Sequence, residues 1–215
     1  MKLKIDLHVH TSCSYDSLID PEDLIFYAKR QGLNGVAVTD HDTMEGLSKV
    51  SQTKDFLIIP GLEISSLKGH IVGLNINKMV PPKLGVQETV DRIHEAGGIA
   101  VACHPFSLFR DRLKEEINGQ FDAIEIINSS AFPFHYSVRY SRRIASRLGI
   151  PGVAGSDAHY GPEIGTGYTV LDAECKVESV INAIKKGNCS PQGTAIPLST
   201  RLKRELLVLK KRKGW

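Results

Sequence analysis

Short runs of β-branched and apolar residues alternate along this chain with longer stretches whose apolar residues recur at helical spacing. The first kind predicts strands at 3–9, 35–39, 56–62, 99–103, 123–127, 153–155 and 166–171, seven in all. The second predicts helices over 21–31, 44–52, 86–96, 108–117, 136–148, 177–186 and 200–211. The boundaries of the first helix are the best marked, because Asp20 suits the N-cap, Pro21 the first helical position and Gly32 the C-terminal stop. Residues 71–76 add a further strand or hairpin after the third strand. This alternation is the pattern of an α/β fold with a parallel sheet.

Residue types that bind metals cluster at the ends of these strands. Alternate side chains of an extended strand share a face, so His8 and His10 project together from the first strand, as Asp157 and His159 do after the sixth. Thr39-Asp40-His41 follows the second strand, Gly61-Leu62-Glu63 closes the third, and His70 and His104 come after apolar runs of their own. Imidazoles and carboxylates gathered in this way are costly to desolvate unless cations neutralise them. The series therefore predicts a metal centre at the C-terminal ends of the strands, the face that carries the active site in barrels of parallel strands. Blander readings exist for single members. Asp40 can cap the turn into the next helix, Asp16 can be a solvated loop carboxylate, and His70 can be a satisfied strand histidine. His94, inside a helix with no motif around it, is read as a surface histidine, and Glu125, in mid-strand, as structural.

Taken in order, His8-x-His10, Asp16, Thr39-Asp40-His41, Gly61-x-Glu63, His70, His104-Pro105 and Gly155-Ser156-Asp157-Ala158-His159 resemble the PHP (polymerase and histidinol phosphatase) family. The resemblance runs over 4–168 and is densest over 6–47. It implies a distorted seven-stranded, TIM-like (β/α)7 barrel that holds two or three divalent metal ions and hydrolyses phosphate esters. Position by position it implies one cation on His8, His10, Glu63 and Asp157, a second on His70, His104 and a bridging Glu63, and a third on Asp16, His41 and His159. Two cations about 3.5–4 Å apart clamp the attacking and leaving oxygens of a phosphoryl group while one generates hydroxide near neutral pH, so in-line attack at phosphorus is the expected chemistry. Mixed nitrogen and oxygen ligands suit zinc, manganese or iron. The family pattern gives no ligand role to Cys13 or Cys103. Around the ligands, Asp16 and Asp40 are candidates for catalysis and Asn128 for a substrate contact. His135 is a candidate general acid, phosphate contact or plain loop residue, and Arg142 is either a phosphate anchor or part of a solvated helix face.

The dense match over 6–47 most resembles the branch of the family that acts on nucleotides or short nucleic acids. The alternatives are a histidinol-phosphatase-type small-molecule phosphatase and a non-catalytic module that binds RNA or a polymerase. An amidohydrolase-like enzyme also begins with His-x-His, but the closing Gly155-Ser156-Asp157-Ala158-His159 argues against it. The expected partner is a phosphate ester substrate, nucleotides and single-stranded nucleic acid among them.

Composition changes this picture little. At 215 residues the chain suffices for a single domain, taken as 1–198 with 199–215 as a C-terminal helix and basic tail. The formal charge of +3 is too small to argue for a partner. The 4 cysteines form no Cys-x-x-Cys pair and no signal peptide is legible, which predicts a cytoplasmic protein. No apolar run approaches the roughly 18 residues that cross a bilayer, so no membrane is expected among its partners. Leu202, Leu206 and Leu209 share one helical face predicted to pack on the barrel, leaving 210–213 as a free basic run.

Overall fold

The computed structural model describes residues 1–51, 53–108 and 113–212. It contains nine strands, β1 (Lys2–Val9), β2 (Gly35–Val38), β3 (Leu57–Ser66), β4 (Gly69–Leu74), β5 (Ile99–Ala102), β6 (Ala123–Asn128), β7 (Gly152–Gly155), β8 (Gly167–Asp172) and β9 (Cys189–Gly193). Six helices accompany them, α1 (Leu24–Arg30), α2 (Glu45–Lys49), α3 (Val86–Glu95), α4 (Phe134–Leu148), α5 (Val177–Lys185) and α6 (Leu198–Arg212). All strands join one sheet in the order β7-β6-β5-β4-β3-β2-β1-β8-β9. The pairs β1–β2, β2–β3, β5–β6 and β6–β7 are parallel, whereas β3–β4, β4–β5, β1–β8 and β8–β9 are antiparallel.

The sheet curls into a nearly closed barrel. The chain leaving β7 returns to β1 through Asp157 N–H donating to His8 O (2.9 Å), His10 N–H donating to Ala158 O (3.1 Å) and a parallel bridge between Val9 and Ala158. The strands β2, β5 and β6 are buried along their whole length, as parallel strands covered on both faces must be. Val86, Val90 and Ile93 recur at helical spacing on α3 and are buried against this sheet.

Nine strands replace the seven expected from the sequence. The expected extra segment is β4, an antiparallel member between β3 and β5. β9 escaped the sequence reading because Cys189-Ser190-Pro191-Gln192-Gly193 has no β-branched residue and carries a proline, which only an edge strand tolerates. α1 begins at Leu24 instead of Pro21 because Asp20 folds the preceding residues into a turn, its Oδ1 accepting from Glu22 N–H and its carbonyl from Asp23 N–H. Its end is as expected, with Gly32 at φ +69°. α2 stops at Lys49 because Val50 turns extended and enters the core, and the expected end at Gln52 lies outside the described residues. Of the helix expected over 108–117, Phe109 to Arg112 lie outside the described residues, and Leu113–Glu115 forms a single 3-10 turn.

The largest departure is α6. Leu202, Leu206 and Leu209 were expected to face the barrel, but they are 57%, 61% and 51% exposed. The opposite face is docked by charge: Arg201 donates to the carbonyls of Ser129 (2.8 Å) and Ser130 (3.1 Å), and Arg204 donates to both oxygens of the buried Glu163 at 3.2 Å. These bonds, made by charged donors, hold the helix with its leucine stripe turned to solvent. α6 continues to Arg212, so the exposed Lys210 and Lys211 are helical, and Lys213 lies outside the described residues.

Candidate metal centre

The candidate ligating side chains are delivered by strands β1, β3 and β4 and by the loops that follow β1, β2, β5 and β7. β1 presents His8, and His10 follows its last residue, both buried. Gly155 permits this, since a Cβ there would meet His8 Cβ at 2.4 Å and Glu125 Oε1 at 2.8 Å. Glu63 comes from inside β3, which runs past the expected end at Leu62 to Ser66. His70 is opposite Ser65 on β4, and His41, His104, Asp157 and His159 follow β2, β5 and β7. His104 and Asp157 hold φ of +32° and +54°, a conformation that side-chain-bearing residues keep only where the surroundings impose it, and one that gathers at functional sites.

The side chains converge on Glu63. Its Oε2 lies 3.1 Å from Nε2 of His8, 3.1 Å from Nε2 of His10 and 3.3 Å from Nδ1 of His41. Its Oε1 lies 2.9 Å from both Nδ1 of His70 and Nε2 of His104. Asp157 Oδ1 is 3.6 Å and 3.3 Å from the facing nitrogens of His8 and His10, which are themselves 3.1 Å apart. Beside this cluster, Asp16 Oδ2 lies 3.1 Å from Nε2 of His159 and 3.5 Å from Nε2 of His41, with His10 completing the group.

These spacings fit bound cations. Donors about 2.0–2.1 Å from a tetrahedral ion lie roughly 3.4 Å from one another, and those around His8, His10, Glu63 and Asp157 are 3.1–3.6 Å apart. Asp16 Oδ1, His41 Nδ1 and His159 Nε2 are buried yet make no hydrogen bond. Polar atoms are rarely buried so unless another ligand completes them.

Electrostatics bind the cluster together. Burial works against ionised Glu63, but the imidazoles of His8 and His41 hold its carboxyl well below the usual range. Burial likewise opposes a charged His8, yet Glu63, Glu125 and Asp157 raise its pKa well above the ordinary histidine value. His10 is lowered by burial and by the neighbouring His159. Despite its own partial burial, Asp16 is held below the carboxylate range by His159 and His41.

Further residues orient these groups. Glu125 accepts from His8 Nδ1 (3.1 Å), from His104 N–H (2.9 Å) and from Asn128 Nδ2 (2.8 Å), so it fixes the ring of one residue and the backbone of another. Ser14 Oγ lies 3.2 Å from His10 Nδ1 and accepts from His41 N–H. Asp6, which burial pushes up to about 6, accepts from Ser156 and Gly165 N–H at 2.9 Å each and so ties the loop after β7 to β1. Sequence reading gave Glu125 only a structural role and passed over Ser14 and Asp6; the i+2 spacing of Asp6 from His8 was the available signal for the last.

The remaining candidates sit outside the cluster. Both carboxylate oxygens of Asp40 bind Thr11, through its backbone N–H and its hydroxyl, and burial raises its pKa. Asn128 is buried, bonded to Glu125 and Ser130. His135 stands in the first turn of α4, not in a loop, and lines a different cavity with Phe132, Phe134 and Ile196. Arg142 is exposed on α4. Cys103 Sγ lies 3.6 Å from Glu63 Oε1 but donates to the His70 carbonyl at 3.1 Å. His94 pairs with Asp122 at 2.7 Å on the surface.

Residues 6–128 match the family model described as PHP domain, and residues 136–189 the one described as PHP-associated. An uncharacterised protein of Methanocaldococcus jannaschii is 30% identical over 200 residues, 88% of this chain and 76% of the relative. A 5′-3′ exoribonuclease of Haemophilus influenzae is 32% identical over 108 residues, 47% of this chain and 39% of that enzyme. The fold resembles the crystal structure of a two-domain protein from Bacteroides vulgatus containing a predicted PHP-like metal-dependent phosphoesterase. The TM-score is 0.72 at 18% identity, covering 90% of this chain and 65% of that one.

Proposed function

Since this chain belongs to the PHP domain family, we propose that it is a metal-dependent phosphoesterase acting on nucleotides or the ends of short single-stranded nucleic acid. The observation that carries this reading is the placement of the buried Glu63, one oxygen of which meets His8, His10 and His41 and the other His70 and His104. One cation is assigned to His8, His10, Glu63 and Asp157, a second to Glu63, His70 and His104, and a third to Asp16, His41 and His159. The donor set suits zinc, manganese or iron. Cations bound there would supply Lewis-acid polarisation of phosphoryl oxygens and lower the pKa of a coordinated water toward neutrality.

The chain's own contribution is orientation. Glu125 and Ser14 turn the rings of His8 and His10 toward Glu63. Asp40 locks the turn that carries Asp16 by binding Thr11. Asn128 is assigned to holding Glu125, and neither His135 nor Arg142 is given a chemical step. The catalytic unit is taken as 1–198, with 199–215 appended to it. The preference for nucleotides and nucleic acid ends draws support from the exoribonuclease relative, of which this chain matches 39%.

Protein purified without chelator is expected to carry at least ~2 divalent cations per chain and to hydrolyse both an aryl phosphate and a nucleoside monophosphate in a metal-dependent way. Glu63→Ala should lower the metal content and cut kcat/KM on the order of 100-fold or more, since a bridging ligand is lost. His94→Ala should change neither. Elemental analysis finding less than one cation per chain, with none rebinding, would sink the proposal.

A further inference from the structure

A cavity of about 330 Å³ opens beside the third ligand group, with Asp16 and His159 at one end. That is the lower end of the roughly 300–1,000 Å³ range of small-ligand sites. Its remaining wall comes from two places. The loop after β1 supplies Tyr15 and Leu18, and α6 supplies Val208 and Lys211. Tyr15 is 84% exposed, and its ring stacks on His41 at 5.3 Å between centroids with an interplanar angle of 26°. The cavity thus runs from the ligand cluster past an aromatic platform and two apolar side chains to a cation.

Arg204 also lines this cavity, but its guanidinium is engaged by Glu163 at 3.2 Å and Glu205 at 3.3 Å. It therefore anchors α6 and leaves Lys211 as the cation offered to a ligand. The anchorage reaches the ligand cluster, because Glu163 Oε2 also accepts from His159 N–H at 3.0 Å. α6 is in this way held at a set position relative to the residues that would face the scissile phosphate.

We propose that Tyr15 and the α6 residues Val208 and Lys211 form the recognition subsite for one nucleotide unit. Its base stacks on Tyr15 against Leu18 and Val208, and the phosphate of the next unit meets Lys211. The proposal rests on the phosphoesterase reading above and names the part of the substrate that reading leaves open. A single exposed aromatic ring supports stacking of any base, so the subsite discriminates nucleotide from non-aromatic phosphate and is tolerant of sequence.

The test uses the full chain loaded with manganese and three probes, glycerol phosphate, adenosine 5′-monophosphate and the 5′-phosphorylated dinucleotide of adenosine. Hydrolysis of each and equilibrium binding of adenosine 5′-monophosphate by calorimetry are measured for wild type, Tyr15→Ala, Tyr15→Phe and Lys211→Ala. Tyr15→Ala should lower the kcat/KM ratio of the mononucleotide to glycerol phosphate about tenfold, mostly through KM, and weaken binding similarly, with Tyr15→Phe restoring both. Lys211→Ala should lower the dinucleotide-to-mononucleotide ratio and reduce the salt dependence of dinucleotide binding by about one unit of log–log slope. A merely structural role for Tyr15, acting through His41, would lower all three substrates together and leave the ratios unmoved. Hydrolysis by the wild type with unchanged ratios in both variants overturns the subsite and keeps the phosphoesterase. Binding that weakens in Tyr15→Ala without turnover of any probe keeps the subsite and overturns the phosphoesterase. Absence of both turnover and binding overturns both.

Discussion

At the residue scale, the side chains that matter most next to the candidate ligands are those that hold them. Glu125 uses three bonds, to His8 Nδ1, His104 N–H and Asn128 Nδ2, all in a buried environment. Glu125→Gln keeps the shape but replaces one acceptor oxygen with a donor, so at least one of these three donors is left facing another N–H. The expected result is a loss of roughly 10–100-fold in metal affinity, the usual range when the partner of a ligating histidine is changed. Competition against a chromophoric chelator reads it, and an affinity equal to wild type would show that Glu125 does not orient the site. The His8-x-His10 pair was legible in the sequence because strand alternation makes i and i+2 share a face, whereas Asp157 and His159 lie beyond β7, with Asp157 at φ +54°, and join different groups of the site. Glu125 was not legible as an orienting group, because its partner His8 is 117 residues away and only the barrel's closure brings them together.

At the scale of elements, α6 is the instructive case. Helical periodicity grouped Leu202, Leu206 and Leu209 correctly on one face, but the docking of that helix is decided by Arg201 and Arg204 on the other. Glu163 is fully buried, so removing Arg204 leaves a carboxylate without its countercharge in the interior. Arg204→Met is expected to destabilise the protein by about 3–5 kcal/mol, whereas Arg204→Met with Glu163→Gln should recover much of this, since loss of one partner of a buried pair costs more than loss of both. Denaturant unfolding of the wild type, both single variants and the double variant tests it. Strictly additive single effects would mean that the ion pair does not dock the helix. β9 likewise takes its place from the sheet, since its sequence, with Pro191 and no β-branched residue, has little β-propensity of its own.

At the scale of the whole molecule, the candidate ligands come from β1, β3, β4 and the segments after β1, β2, β5 and β7, so cations bound there would link binding to barrel stability. Cations that bind only the folded chain at about 1,000 times their dissociation constant would add about 4 kcal/mol, and chelation is accordingly expected to lower Tm on the order of 10 °C for a chain of this size. The pH dependence has a definite sign. His8 in the cation-free protein is held protonated above the ordinary histidine pKa by Glu63, Glu125 and Asp157, burial notwithstanding. A cation must displace that proton, so affinity rises with pH until the folded pKa of His8 is passed and is lost on acidification. Calorimetry in buffers of different ionisation enthalpy should detect protons released on binding near pH 7, and heats independent of buffer would refute it. None of the described helices is long and apolar enough to cross a membrane. From the amino-acid order alone came the α/β class and most of the strands, which follow from periodicity within a few residues, and the histidines and carboxylates of the candidate site, whose order along the chain carries the family resemblance. Strand number, barrel closure, the outward turn of the α6 leucines and the grouping of His10 with both Asp157 and Asp16 were decided only in the folded chain. They depend on which distant segments meet, and no local pattern carries that information.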